Sequence, residues 1–108
     1  MMIYELRTYW AAPGCAGALH RRFRELTLRC LARHGIEVVG FWVPPRADDG
    51  DLVYLVAGAD QAALEAAWLA FRADPEWRAG KAASESAGPL VTRITSVWLT
   101  PTDYSPLQ

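Results

Sequence analysis

Cysteine is scarce, with two among 108 residues. Cys15 and Cys30 fall on one predicted helix, about 22 Å apart at 1.5 Å per residue, too far to bridge each other. Two unpaired thiols fit a reducing compartment, and a cytoplasmic protein is expected. Long apolar runs are missing: no window approaches the ~18 to 20 continuous apolar residues of a membrane span. The start, Met1-Met2-Ile3-Tyr4-Glu5, sets no basic segment before an apolar one, so no signal peptide is expected. An excess of one charge is missing too, with 11 Lys and Arg against 12 Asp and Glu and a pI near 6.1. That balance argues against nucleic acid and acidic membranes as partners. The arginine stripe of the first helix, Arg21, Arg22, Arg29 and Arg33, is interrupted by Glu25 and reads as a solvated face. No His/Cys/carboxylate group has metal-ligand spacing, so no metal is expected. A phosphate-cradling glycine loop and a G-x-S-x-G elbow are also absent. Arginine far outnumbers lysine and alanine is abundant, the usage of a GC-rich bacterial genome.

What is present is apolar surface in excess of its cover. The length fits one domain over 1–108, yet 52% of it is hydrophobic, with five tryptophans. Val38-Val39-Gly40-Phe41-Trp42-Val43 and Leu52-Val53-Tyr54-Leu55-Val56-Ala57 are strand-like and apolar on both sides, where a half-buried strand would alternate. About two amphipathic helices can cover one face of a small sheet. The other face needs a second molecule, so a homodimer joined through the sheet is expected.

Strand one is predicted over Ile3–Tyr9. Pro13-Gly14 ends it and opens a helix over Cys15–His34, whose apolar arc is Leu19, Phe23, Leu26 and Cys30. Gly35 is its natural stop. Strand two spans Glu37–Val43 and Pro44-Pro45 ends it. Strand three, Leu52–Ala57, follows as a hairpin partner. Asp60 caps a helix over Gln61–Arg72 with Leu64, Ala67, Trp68 and Phe71 inward. Asp74-Pro75-Glu76 starts a short third helix reaching about Ser86. Strand four is Leu90–Leu99. This βαββα(α)β order predicts an α+β, ferredoxin-like βαββαβ sandwich, a four-stranded antiparallel sheet with helices on one face.

Four strings resemble the NIPSNAP family: Met2-Ile3-Tyr4-Glu5-Leu6-Arg7-Thr8-Tyr9; Arg33-His34-Gly35 followed by Val39-Gly40-Phe41-Trp42; Ala73-Asp74-Pro75-Glu76-Trp77-Arg78; and Leu99-Thr100-Pro101-Thr102-Asp103-Tyr104-Ser105-Pro106-Leu107. The resemblance spans the chain. It implies a dimeric α+β barrel, two ferredoxin-like sheets facing across a two-fold axis, a fold shared with small monooxygenases, isomerases and haem-handling proteins. It does not by itself imply an activity. Family members often carry His and then Trp on strand three, where this chain has Tyr54 and Val56, so an activity built on that His does not carry over.

The residues that can carry chemistry are few. Glu5, Arg7 and Tyr9 project from one side of strand one. If Tyr4 and Leu6 pack under the helices, the trio faces the space between two sheets, where it could orient a polar group of a mostly apolar ligand. Glu5 and Arg7 are the catalytic candidates, with Glu5 as a base if burial raises its pKa. The plainer reading is a Glu5–Arg7 ion pair within the strand or across the dimer. Tyr54 and Trp42 are placed in the same space, with Gly40 beside the indole leaving room for a ligand or a partner backbone. Arg93, the charge inside strand four, meets Glu5 or lines the rim. His20 and His34 make haem a lesser possibility, and no cofactor is expected. Two functions stay open: a dimer that binds a small, largely apolar organic molecule, with cofactor-free monooxygenase- or isomerase-like chemistry as one form of it, and a non-catalytic assembly module whose interface is filled by side chains.

Overall fold

The computed structural model describes residues 2–108; Met1, part of the start read above, lies outside them. Strand β1 is Ile3–Ala11. The first helical rod consists of α1 (Ala16–Arg22), one π-helical turn over Phe23–Thr27, and α2 (Leu28–Arg33). Then come β2 (Glu37–Trp42), β3 (Leu52–Gly58), α3 (Gln61–Ala73), α4 (Pro75–Ser84) and β4 (Val91–Leu99). The strands form one antiparallel sheet in the order β2-β3-β1-β4. The βαββαβ order closes as the ferredoxin-like α+β sandwich expected.

Local chemistry sets the element ends. Gly35 takes φ 73°, its N–H bonding the Ala32 carbonyl at 3.1 Å and the Ile36 N–H bonding that of Leu31 at 3.0 Å. Those two bonds close the rod with a glycine C-cap. The Asp60 carboxylate accepts from Ala63 N–H at 2.7 Å and starts α3. Asp74 does the same for α4, accepting from Glu76 N–H at 2.8 Å and Trp77 N–H at 3.2 Å, with Pro75 in the first turn. Helix α4 has no fully buried residue. It lies close on the π turn at Gly80, where a Cβ would run into Leu26.

The core lies between the sheet and the helices. Leu52, Tyr54 and Val56 of β3 meet Leu19, Phe23 and Leu31 of the first rod and Leu64, Trp68 and Phe71 of α3. Fully burying one such side chain is worth about 1.5–3 kcal/mol. The opposite face carries Leu6 beside Leu55 and Val97, and Trp42 beside Val53. It is sparsely covered: Trp42 is 53% exposed and Val97 51%. The excess of apolar surface read from the sequence therefore resides on this face. At one end, the Tyr4 hydroxyl donates to the main-chain oxygen of Gln108 at 3.3 Å.

Candidate functional site

Alternation along β1 sends Glu5, Arg7 and Tyr9 to one side and Tyr4, Leu6 and Thr8 to the other. The side differs from the expectation. The trio faces the helices of its own chain, because its cross-strand neighbours Val56, Tyr54 and Leu52 are core residues. Tyr4 and Leu6 lie on the open face. The physical reason is that the helix layer supplies partners for the charges. Trp68 of α3 donates its indole N–H to Glu5 Oε1 at 2.7 Å. Arg7 Nη1 donates to Glu5 Oε2 at 2.9 Å, and the Ser96 hydroxyl donates to the same oxygen. Glu5, 3% exposed, is thereby bonded at both oxygens. A buried carboxylate is tolerable only when so compensated.

Arg7 ties this pair to two phenols. Its Nε donates to the Tyr54 hydroxyl at 3.0 Å and its Nη2 to that of Tyr9 at 3.3 Å. The two hydroxyls are 2.9 Å apart. The guanidinium also stacks on the Trp68 ring, 4.4 Å from its centroid. Burial works against the charge on Arg7, but the neighbouring Tyr54 and Tyr9 and the Glu5 bond outweigh it and its pKa is raised. Burial, with Tyr9 beside it, pushes the Tyr54 phenol well above its ordinary value against the pull of Arg7. At neutral pH the Arg7 guanidinium is charged and the Tyr54 phenol is protonated.

A cleft opens over this cluster. One lobe, of about 440 Å³, is walled by Tyr9, Phe23, Tyr54, Trp68, Phe71 and Trp77. An overlapping lobe of about 500 Å³ shares Tyr9, Trp68, Phe71 and Trp77 and adds Arg7. Both volumes are in the range of small-molecule sites. The π turn bears on its shape, since Phe23 and Thr27 sit on it and both line the first lobe. Such turns are rare and frequent at functional sites.

Of the residues singled out from sequence, Arg7, Tyr9 and Tyr54 line the cleft and Glu5 anchors its wall. Trp42 does not join them. Strand β2 bulges between Val38 and Gly40, so Phe41 stands opposite Tyr54 while Trp42 stands opposite Val53 on the open face. Nor does Gly40 leave room there: a Cβ on it would lie 2.8 Å from the Trp42 ring, which folds over the gap. Arg93 borders the first lobe, yet its guanidinium stacks 4.5 Å from the centroid of Trp10, its cross-strand neighbour, and makes no bond to Glu5. Sequence reasoning missed Trp68, Phe71 and Trp77 as cleft residues, assigning the first two to a helix core and the third to a helix start. A buried indole N–H needs an acceptor, and Glu5 is that acceptor.

A second polar cluster holds α4 to α2. Asp74 Oδ2 accepts from Arg33 Nη1 at 2.8 Å and lies 2.7 Å from His34 Nε2. Glu76 binds Arg33 at 2.6 Å and Arg29 at 2.9 Å. The His34 bond, with Arg33 and the two backbone amides, holds the Asp74 carboxyl far below the usual range. Arg29 and Arg33 lower Glu76 to about 2. No metal-binding group of three or more His, Cys, Asp and Glu occurs among the described residues. The residues do not fit haem. His34 is engaged by Asp74, and His20 borders a separate hollow of about 190 Å³ rather than the cleft. No helix among the described residues is long and apolar enough to cross a membrane.

A ferredoxin-like α+β sandwich with an aromatic cleft between sheet and helices is thus the class that fold and site define. The NIPSNAP family profile matches residues 4–106, and the chain belongs to that family. Solved structures agree. A NIPSNAP family protein of Agrobacterium tumefaciens superposes with a TM-score of 0.86 at 22% identity over 100% of both chains. An uncharacterized NIPSNAP-like domain protein of Burkholderia xenovorans gives 0.83 at 22% identity, over 97% of this chain and 89% of that one. SnoaB of Streptomyces nogalater, a cofactor-independent oxygenase, gives 0.59 at 18% identity over 97% of each. At these identities the likeness shows the fold alone. No curated protein matches the sequence.

Proposed function

We propose that this NIPSNAP protein is a homodimer that binds a small, largely apolar organic molecule in the cleft between its sheet and helices. The observation that carries the reading is the cleft itself, about 440 Å³ with six aromatic side chains on its wall and the Arg7–Tyr9–Tyr54 hydrogen-bond cluster at its base. Aromatic walls take up an apolar body, and a few fixed polar groups orient it. The dimer is supported by the open face, where Leu6, Val53, Leu55 and Val97 form apolar surface of the kind that marks an interface.

Binding is better supported than catalysis. Isomerisation and cofactor-free oxygenation, the activity printed for SnoaB, both call for a base that can take a proton from the ligand. Glu5 has both oxygens engaged. Tyr54 is held protonated. Glu85, the one carboxylate lining the cleft, is paired with Arg22 and Lys81, and the guanidinium groups and phenols there donate hydrogen bonds that hold a ligand in place. A non-catalytic assembly module needs the apolar face but not a cleft of this size.

Titration with 2-naphthamide, a neutral aromatic probe, tests the reading through the indole N–H resonances of the ¹⁵N-labelled protein. The resonances of Trp68 and Trp77 are expected to move and that of Trp42 to stay. A spectrum in which none moves, or only Trp42 does, ends the binding proposal. Light scattering that finds a 12.0 kDa monomer at low micromolar concentration ends the dimer.

A further inference from the structure

The charges around the cleft are lopsided. The chain as a whole carries a net charge of -1. Yet Arg7, Arg22, Arg72, Arg78 and Lys81 line the two lobes, and Glu85 is the one carboxylate among the lining residues. Arg7 is offset by Glu5 behind the wall. Glu85 is shared between Arg22 at 3.2 Å and Lys81 at 3.3 Å, one negative charge for two positive ones. Arg72 and Arg78 make no ion pair among the described residues. The cleft therefore carries a surplus of positive charge that no ion pair among the described residues neutralises.

Arg22 is the informative member. Its side chain is 5% exposed. Nη1 is taken by Ser84 and Glu85, both at 3.2 Å, while Nε is buried with no partner. An under-satisfied buried guanidinium is costly, and on a cavity wall its charge favours an anionic ligand. The guanidinium also lies over the Trp77 ring, 5.4 Å from its centroid. Cation and aromatic wall are thus side by side.

Resting on the reading of this cleft as a ligand site, we infer that its ligand is an aromatic acid. The ring system lies among Phe71, Trp77 and Trp68, and one carboxylate is received by Arg22 and the cationic rim of α3 and α4. Arginine suits this role because its planar fork matches a carboxylate. The six aromatic rings of the first lobe suit one ring system with one carboxylate rather than a polyanion such as a nucleotide, whose several charges would need desolvating there.

The test compares naphthalene-2-carboxylate with 2-naphthamide, which match in shape and differ in charge. The indole resonances of Trp68 and Trp77 report both titrations at low ionic strength. The carboxylate is expected to bind at least about tenfold tighter, the size of one charge-assisted hydrogen bond. Arg22→Met should bring the two affinities together. Arg78→Gln with Lys81→Gln, both exposed positions, should narrow the gap severalfold, and this variant decides the matter if Arg22→Met loses its dispersed spectrum. Equal affinities in the unmodified protein overturn the acid and leave the cleft as a site for neutral ligands. A preference that survives in every folded variant overturns the role of these cations. If neither compound binds, the ligand reading of the cleft falls as well.

Discussion

Two of the molecule's ionic clusters are each built around arginine and carboxylate. The inner one, Glu5 with Arg7, Trp68, Ser96 and the two tyrosines, lies under the helix layer at the base of the cleft. The outer one, Asp74 and Glu76 with Arg29, Arg33 and His34, pins α4 to the end of the first rod. In the inner cluster both charged side chains are largely buried, at 4% and 16% exposure. In the outer one Asp74 is as buried as Glu5, but the cations are wet, Arg29 at 54% and Arg33 at 47% exposure. Burial of the cation, not bond length, separates them. A buried pair makes each partner indispensable to the other, because removal of one strands the other's charge. A wet pair is weakened by solvent and salt, and its worth lies in placing a helix.

The largest break in that comparison should come from Arg7→Met, which leaves Glu5 buried without its cation. Denaturant unfolding is expected to show a loss of about 3–5 kcal/mol. Adding Glu5→Leu should return most of it, since apolar residues can replace a buried pair at little cost. A double variant no more stable than Arg7→Met would remove the distinction between the clusters. Asp74→Ala should lower the Tm by several degrees, less than Arg7→Met does, because α4 loses its cap and its tie to Arg33 and His34 together.

Titration separates the clusters further. The carboxyls of Asp74 and Glu76 are held below their unfolded values near 4. Their contribution is present above about pH 4 and is lost as pH falls toward 2. Asp74→Asn with Glu76→Gln should therefore flatten the loss of Tm between pH 5 and 2. Tyr54 works at the other end. Its raised pKa means that the unfolded chain ionises first, so stability is lost as pH rises above about 10. Tyr54→Phe should flatten the alkaline limb and leave the acid limb unchanged. Arg29→Ala, at the wettest pair, should be the smallest effect, within about two degrees of Tm.

The fold was legible because its signals are local. Asp60, Asp74-Pro75 and Gly35 mark helix ends by chemistry a single residue carries, and Leu19, Phe23, Leu26 and Cys30 mark a face by spacing. All of the outer cluster but Arg29 falls within strings that resemble the family, Arg33-His34-Gly35 and Asp74-Pro75-Glu76-Trp77, and the structure gives them a shared task of joining α4 to α2. The grouping on β1 was legible and its side was not. Arg7 does bond Glu5 and Tyr9, but two charges on a strand suggest a wet or shared space until Trp68 and Ser96 are seen to satisfy them. Trp42 was misplaced by one residue of bulge, since skipping Val39 reverses every side chain after it. The π turn over Phe23–Thr27 leaves no mark in an apolar periodicity that reads equally well as α-helix.

The sheet order has a kinetic consequence. Strand β1 sits between β3 and β4, and Tyr4 stands opposite Leu99. One edge of β1 therefore stays unpaired until β4 has been made. Long-range pairing of this kind slows folding, commonly to milliseconds or longer. Until β4 arrives, the greasy strands made before it stay accessible to other chains.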